Sequence, residues 1–152
     1  LSLTASGAVV MLYGAGGFVF ALSSQHLVRR LGEAGLAACG GGLMTVSLLV
    51  IAFAPAWHWA IVGCFVLGLG FYMMHNTLQV HATQMLPERR GAAVSAFAAC
   101  FFLGQSAGGG LGGLLVGRIG TTPFIALGAA ALAGVAAAFV RALRRRRARA
   151  TG

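Results

Sequence analysis

The sequence predicts an all-α fold, a polytopic membrane bundle of five transmembrane helices. Its 152 residues are 59% hydrophobic and 9% charged, with a mean hydropathy of +0.88, which is far from the composition of a soluble domain. The charged residues are confined to short gaps between long apolar runs. Because about 20 apolar residues suffice for a helix to cross the hydrocarbon core of a bilayer, these runs predict membrane spans.

The first span is expected at residues 4–22, within a stretch that contains no Asp, Glu, Lys or Arg. Its four glycines favour close contact with other helices; they are Gly7, Gly14, Gly16 and Gly17. A polar connection, SSQHLVRRLGEAG, follows. The next charge-free run is too long for one crossing, and Pro55 divides it, because proline ends helices and the neighbouring tryptophans favour the membrane interface. Two further spans, 36–54 and 59–79, are therefore predicted.

The fourth and fifth spans are predicted at residues 91–116 and 123–140. Glycine recurs at every fourth position in the fourth span, at Gly104, Gly108 and Gly112. Small residues at this spacing predict a helix face that packs tightly against a neighbour. Residues 1–140 are thus expected to form the transmembrane domain and residues 141–152 a basic cytoplasmic tail near anionic lipid.

The arginines predict the orientation of the chain. All 11 basic residues are Arg; the connections carry two, none, two and one in order, and the tail carries six. The positive-inside rule places the first connection, the third connection and the C-terminus in the cytoplasm, with the N-terminus outside. The arginines between the spans have the placement of topology signals, so the net charge of +9 is not taken to indicate a nucleic-acid partner.

A polar stripe within the third span is the candidate site. Spacings of three and four residues place its members on one helix face; they are Tyr72, His75, Asn76 and Gln79. Because polar groups facing hydrocarbon cost free energy, the stripe is interpreted as the wall of a solute path, with Gln105 as a second contact. The alternative is that these groups only hydrogen-bond neighbouring helices.

The sequence offers little for catalysis or metal binding. Asp is absent, both Glu residues lie in connections, and the three cysteines are far apart in sequence. No Ser-His-acid set and no metal-ligand set can be assembled inside the membrane from these residues. We therefore expect no enzyme activity, no catalytic residue, no bound metal and no cofactor.

Two motifs resemble a known family. QHLVRRLGEA resembles the signature cytoplasmic loop of the major facilitator superfamily of secondary transporters, with matches at Leu27, Arg30 and Gly32. GQSAGGGLGG is similar to a glycine pattern of the same family, matching Gly104, Gly108, Gly112 and Gly113. HNTLQ and PERRG resemble the tenth helix and the following loop of drug or sugar efflux members. Arg29 in place of the loop's acidic residue, and Gly109 in place of a proline, favour helices eight to twelve over helices two to six.

The resemblance implies part of a secondary active transporter that moves a small solute across the bacterial inner membrane. The resemblance further implies alternating access and proton-coupled efflux by antiport. It also implies a missing N-terminal half of the transporter, which would be the partner of this chain. The resemblance also points to loop residues that form cytoplasmic contacts between helices, or that only orient the chain by charge: Arg29, Arg30, Gly32, Glu88, Arg89 and Arg90. A lone His75 is a weak candidate for proton coupling, because a membrane histidine more often only hydrogen-bonds.

The rival interpretation is a truncated membrane module that binds or regulates a full transporter without moving solute. The chain begins at Leu1 rather than Met, so its start is interpreted as a truncation. Six or seven further spans encoded upstream of Leu1 favour the transporter, whereas a start codon just upstream favours the module.

Overall fold

A computed structural model describes residues 3–150 as four long helices. The helices are α1 (Leu3–Phe53), α2 (His58–Gln84), α3 (Arg90–Ile119) and α4 (Thr121–Ala150), and a short 3-10 turn at Pro87–Arg89 precedes α3. The described residues include no strand, so the all-α prediction is confirmed for this part of the chain. The first two residues of the predicted domain and the last two of the predicted tail lie outside it.

All four helices are long and apolar enough to cross a membrane. The interruption between α1 and α2 falls at residues 54–57, around the proline that was expected to divide the long apolar run. Trp57 and Trp59 are 58% and 47% exposed there, as suits side chains at a membrane interface. The composition of each helix therefore matches the expectation of a membrane helical bundle.

The helix α1 is broken at Gly32. This glycine has φ 65° and ψ 175°, a backbone conformation that is essentially restricted to glycine. We call residues 3–31 the first arm and residues 33–53 the second arm. The first polar connection is therefore not a loop, because the first arm remains helical up to the residue before Gly32. The ranges predicted for the first two spans fall on separate arms.

Both arms pack against α2, in opposite directions. Along the first arm, position 13 lies against Gly68 and position 17 against Tyr72, so residue numbers rise together on the two helices. Along the second arm, Gly40 lies against Gly70 and Ile51 lies against Gly63, so the numbers run in opposite senses. The chain thus reverses at Gly32, and α2 lies between the two arms.

Glycines allow this close approach. A Cβ atom at Gly68 would overlap the carbonyl oxygen of Tyr13, and one at Gly70 would come within 2.7 Å of the carbonyl oxygen of Gly40. Small residues let helix backbones approach where any side chain would separate them. Gly16 and Gly17 of the first arm behave as predicted, whereas Gly7 and Gly14, expected in the same packing, face open space.

Two small apolar clusters join the helices. Phe20 of the first arm, Leu36 of the second arm and Met73 of α2 form one cluster. Ala37 of the second arm packs with Val140 and Leu143 of α4 in the other. The core therefore lies around α2 and the second arm, near the reversal of the chain at Gly32.

The glycine face of α3 is mostly open in this chain. A Cβ at Gly104, Gly108 or Gly113 would meet no atom within 4 Å, and only Gly112 is covered, by the ring of Phe124. Within the described residues the close packing expected for this series is thus found at one of its positions. The physical reason is that α3 lies at the edge of the described bundle, where α2 and α4 are its main helix neighbours.

The helix α4 continues through the arginine cluster. It runs from Thr121 to Ala150, so the boundary predicted at residue 140 does not end the helix. Gly120, with φ 85°, makes the turn that separates it from α3. The six arginines of the predicted tail are therefore held at helical spacing.

Candidate functional site

The four residues of the polar stripe line one cleft between α2 and the first arm. The cleft has a volume of about 430 Å³. Tyr72, His75, Asn76 and Gln79 form its α2 side, and Gly17, Phe20, Ala21 and Ser24 form the side of the first arm. The structure therefore brings together the whole stripe that helical spacing indicated.

Packing on the other faces of α2 leaves this stripe accessible. Met73, Met74 and Thr77 are buried at 2%, 4% and 3% exposure, and the hydroxyl of Thr77 donates to the carbonyl oxygen of Met73 in its own helix. Tyr72 is 39% exposed, and Gln79 is exposed as well. The apolar face of α2 thus holds the bundle, while its polar face borders the cleft.

Within residues 3–150, the side-chain amides of Asn76 and Gln79 form no hydrogen bond with another helix. Every side-chain hydrogen bond described in residues 3–150 joins a Ser or Thr hydroxyl to a carbonyl oxygen three or four residues earlier in the same helix. Neither Asn76 nor Gln79 takes part in one. Interhelical hydrogen bonding, the alternative explanation for the stripe, is thus not found within the described chain.

The cleft continues toward the break in α1. An adjoining cleft of about 380 Å³ is lined by Ser24, Gln25, Val28, Arg29 and Asn76. Ser24 and Asn76 border both clefts. A polar groove therefore extends from the middle of the first arm to the neighbourhood of Arg29.

Aromatic rings surround His75. Its ring stacks on Phe71 with centroids 5.1 Å apart and 17° between the planes. From α3, Phe101 approaches it at 4.9 Å and Phe97 at 5.4 Å. Tyr13 of the first arm extends this cluster, with its ring centroid 5.6 Å from that of Phe71. The ring of His75 is therefore fixed by packing as well as exposed to the cleft.

Sequence reasoning missed this aromatic wall. Phe97 and Phe101 stand four residues apart on α3, a spacing that places them on one helix face, and this pattern was the available signal. Gln105, one turn further along α3, is exposed and does not line the cleft. The structure thus joins α3 to the stripe through its phenylalanines and not through the predicted glutamine.

The predicted loop residues divide into two groups. Gly32 forms the reversal, and Arg29 lines the adjoining cleft. Arg30 is exposed, as are Glu88, Arg89 and Arg90 around the 3-10 turn. The structure does not bring these residues into one cluster.

His81, near the end of α2, contacts Glu33, which directly follows the reversal at Gly32. The sequence did not indicate this contact. His81 Nε2 lies 3.1 Å from Glu33 Oε2, although without hydrogen-bond geometry. The edge of Phe139 from α4 meets the ring of His81 at 6.0 Å. The Gly32 reversal and the C-terminal end of α2 therefore lie at the same end of the bundle.

Comparison with known proteins agrees with this architecture. The sequence profile of the Major Facilitator Superfamily matches residues 1–152. Relatives that are 37% identical over 107 residues include uncharacterised MFS-type transporters of Burkholderia mallei (strain SAVP1) and Burkholderia pseudomallei (strain K96243). The match covers 69% of this chain and 26% of each relative, so the chain matches about a quarter of their length. No solved structure matches the chain significantly. With its long apolar helices and this match over its whole length, the chain is an integral membrane protein that belongs to the major facilitator superfamily.

Proposed function

We propose that this chain is part of a secondary active transporter that moves a small solute across the bacterial inner membrane by alternating access. Membership of the superfamily supports the proposal, as do relatives whose names describe MFS-type transporters. Proton-coupled efflux is the proposed mode, because HNTLQ and PERRG resemble segments of efflux members. Both glutamates lie near helix ends, at Glu33 and Glu88, so the group that carries the proton is proposed to lie outside this chain.

Five membrane crossings are part of the proposal, corresponding to helices eight to twelve of the family. As one straight helix, the 51 residues of α1 would extend about 76 Å, more than twice a hydrocarbon core of about 30 Å. The reversal at Gly32 and the opposite directions of the two arms along α2 support two crossings instead. The arginine distribution supports a cytoplasmic C-terminus.

The observation that carries the proposal is the groove bordered by unpartnered amides. Asn76 and Gln79 present hydrogen-bond donors and acceptors to a cleft, and a solute with hydroxyl, amide or amine groups can satisfy them. Tyr72 and the ring cluster around His75 add apolar surface beside the amides. Gln105 belongs to this site if α3 faces the same cavity in the complete protein.

The missing N-terminal half is the proposed partner. Alternating access requires two repeats that move against each other around a site near the midplane, and this chain matches about a quarter of its relatives' length. The exposed side of the groove and the open glycine face of α3 are surfaces on which that half can pack. We therefore expect no transport by residues 1–152 alone.

The test uses the full-length protein that contains this chain, reconstituted in proteoliposomes. Asn76→Ala and Gln79→Ala should each change the apparent affinity for transported solutes by about fivefold, the effect of one lost hydrogen bond of about 1 kcal/mol. Gln84→Ala is the matched control, since Gln84 is exposed at the end of the same helix and does not line the cleft. Solute competition should be measured alongside the amount of folded protein.

Unchanged transport kinetics in both variants would show that the stripe does not contact the solute. Equal changes in the Gln84→Ala control would attribute the effect to the helix as a whole. Either outcome removes the proposed site.

A further inference from the structure

A second groove lies between α4 and the second arm of α1, away from the polar stripe. Its volume is about 430 Å³. Small apolar residues make most of its wall, among them Gly41, Gly42, Ala133, Ala136 and Ala137. Its one hydroxyl, that of Thr45, donates to the carbonyl oxygen of Gly41 at 2.8 Å. Apart from the two arginines at one end, the groove therefore offers no polar side chain that lacks a partner.

The groove is narrow at its base and open along its side. A Cβ at Gly41 would overlap that of Ala136, so the two helices nearly touch there. A Cβ at Gly42 would meet no atom within 4 Å. From Ala133 to Arg144 the groove follows α4 for about 16 Å, which is close to one leaflet of hydrocarbon, about 15 Å.

Two arginines stand at one end of this groove. Arg141 and Arg144 line it just past the last apolar turn of α4, and both are exposed. Neither has a carboxylate partner within residues 3–150, where the one ion pair described joins Glu33 to His81. Guanidinium groups bind phosphate oxygens in a bidentate manner, so this end of the groove suits a phosphate at the membrane surface.

We propose that the groove is a binding site for an anionic glycerophospholipid of the cytoplasmic leaflet. One acyl chain lies between the second arm and α4, and the phosphate lies between Arg141 and Arg144. The apolar walls, the open side and the cationic end of the groove fit this occupant together. Arg145 and Arg149 do not line the groove, so the proposal differs from a general attraction of the basic helix end to the membrane. It does not rest on the proposed transport activity.

The test measures lipid retention by native mass spectrometry. The full-length protein that contains this chain is purified in neutral detergent and titrated with phosphatidylglycerol or with phosphatidylcholine of the same acyl chains. The double variant Arg141→Gln/Arg144→Gln should bind phosphatidylglycerol about thirtyfold more weakly than the unsubstituted protein, given the usual contribution of each arginine near the surface. Arg145→Gln/Arg149→Gln removes the same charge outside the groove and should change the affinity less than threefold.

A second pair of variants tests the acyl-chain half of the site without a change in charge. Gly42→Leu places a side chain in the open groove and should reduce phosphatidylglycerol binding about tenfold, by excluding the chain. Gly134→Leu is its control, because Gly134 also faces open space but does not line the groove. If the double arginine variant fails to fold, this pair decides the proposal.

Three results would overturn the proposal. Equal losses from the two arginine pairs would indicate surface charge alone. Unaltered binding in Gly42→Leu would exclude an acyl chain from the groove. Displacement of the lipid by soluble glycerol phosphate at similar concentration would assign the arginines to a free phosphate instead.

Discussion

At the scale of single residues, two glycines of the first arm illustrate how the helices are held together. A Cβ at Gly16 would overlap the carbonyl oxygen of Phe65 on α2, whereas one at Gly14 would meet nothing within 4 Å. Both residues are helical and only two positions apart. The difference in their surroundings comes entirely from the helix that packs beside them.

Gly16→Ala should therefore destabilise the folded protein by about 2 kcal/mol, the usual cost of overpacking a close contact. Gly14→Ala should be neutral or slightly stabilising, because alanine is the better helix former. Thermal unfolding of the two purified variants in the same detergent measures the difference. Equal unfolding temperatures would mean that the first arm does not approach α2 as closely as the structure describes.

Two histidines of α2 show the same dependence on tertiary surroundings. His75 lies among rings from α2 and α3, whereas His81 meets Glu33 from the second arm and Phe139 from α4. Helical spacing placed His75 on the polar stripe. It could not indicate the partners of the two histidines, because residues distant in sequence supply them.

At the scale of elements, the reversal of α1 depends on one residue. Gly32 has φ 65° and ψ 175°, and the residues on either side of it continue as helix. Since no other interruption occurs between residues 3 and 53, the direction of both arms follows from this backbone conformation.

Gly32→Ala should cost about 1 to 3 kcal/mol, because the added Cβ is strained at this φ and ψ. The expected result is less folded protein in the membrane, measured by fluorescence-detected gel filtration. Gly7→Ala serves as the control, as Gly7 lies in the same helix at a position where a Cβ meets no other atom. A yield equal to that of the control would show that the reversal tolerates a side chain.

The helix α3 is mostly exposed in the described chain, because few neighbouring residues pack against it. Only Ala93 and Gly112 are buried along its 30 residues. Glycine at every fourth position predicts a face that packs against another helix. The pattern does not indicate which segment of the protein supplies that helix. Close packing at Gly104, Gly108 and Gly113 stays a prediction for the complete protein.

At the scale of the whole molecule, the packing of helices agrees with the proposed topology. The Glu33–His81 contact brings the first reversal and the end of α2 together, and the orientation proposed from the arginine count puts both in the cytoplasm. In that proposal the turn at residues 54–57 lies on the opposite side.

Labelling of single cysteines tests this arrangement in cells. In a background that lacks Cys39, Cys64 and Cys100, a cysteine at Ala56 should react with an impermeant maleimide from outside. A cysteine at Ala92 should react only after the membrane is opened. Labelling at Ala92 from outside, and at Ala56 only after the membrane is opened, would show that the topology is inverted. Labelling from outside at both positions would exclude five crossings.

The sequence alone determined the class of the fold, the apolar segments and the polar stripe. These features depend on local properties, namely run length, helical period and the positions of Pro55 and the arginines. The helical period placed Tyr72, His75, Asn76 and Gln79 on one face, and all four line one cleft. It could not place Gln105, whose position depends on how α3 turns against α2.

Only the tertiary structure decided which surfaces meet. The closeness of Gly68 to the Tyr13 backbone depends on residues far apart in the chain, and so does the groove that ends at Arg141. Nearly every helix of a membrane protein is apolar, so hydrophobicity does not distinguish a lipid-facing side from a protein-facing side. A protein-facing side is recognised by the close packing of small residues. This packing exists only after the helices have assembled.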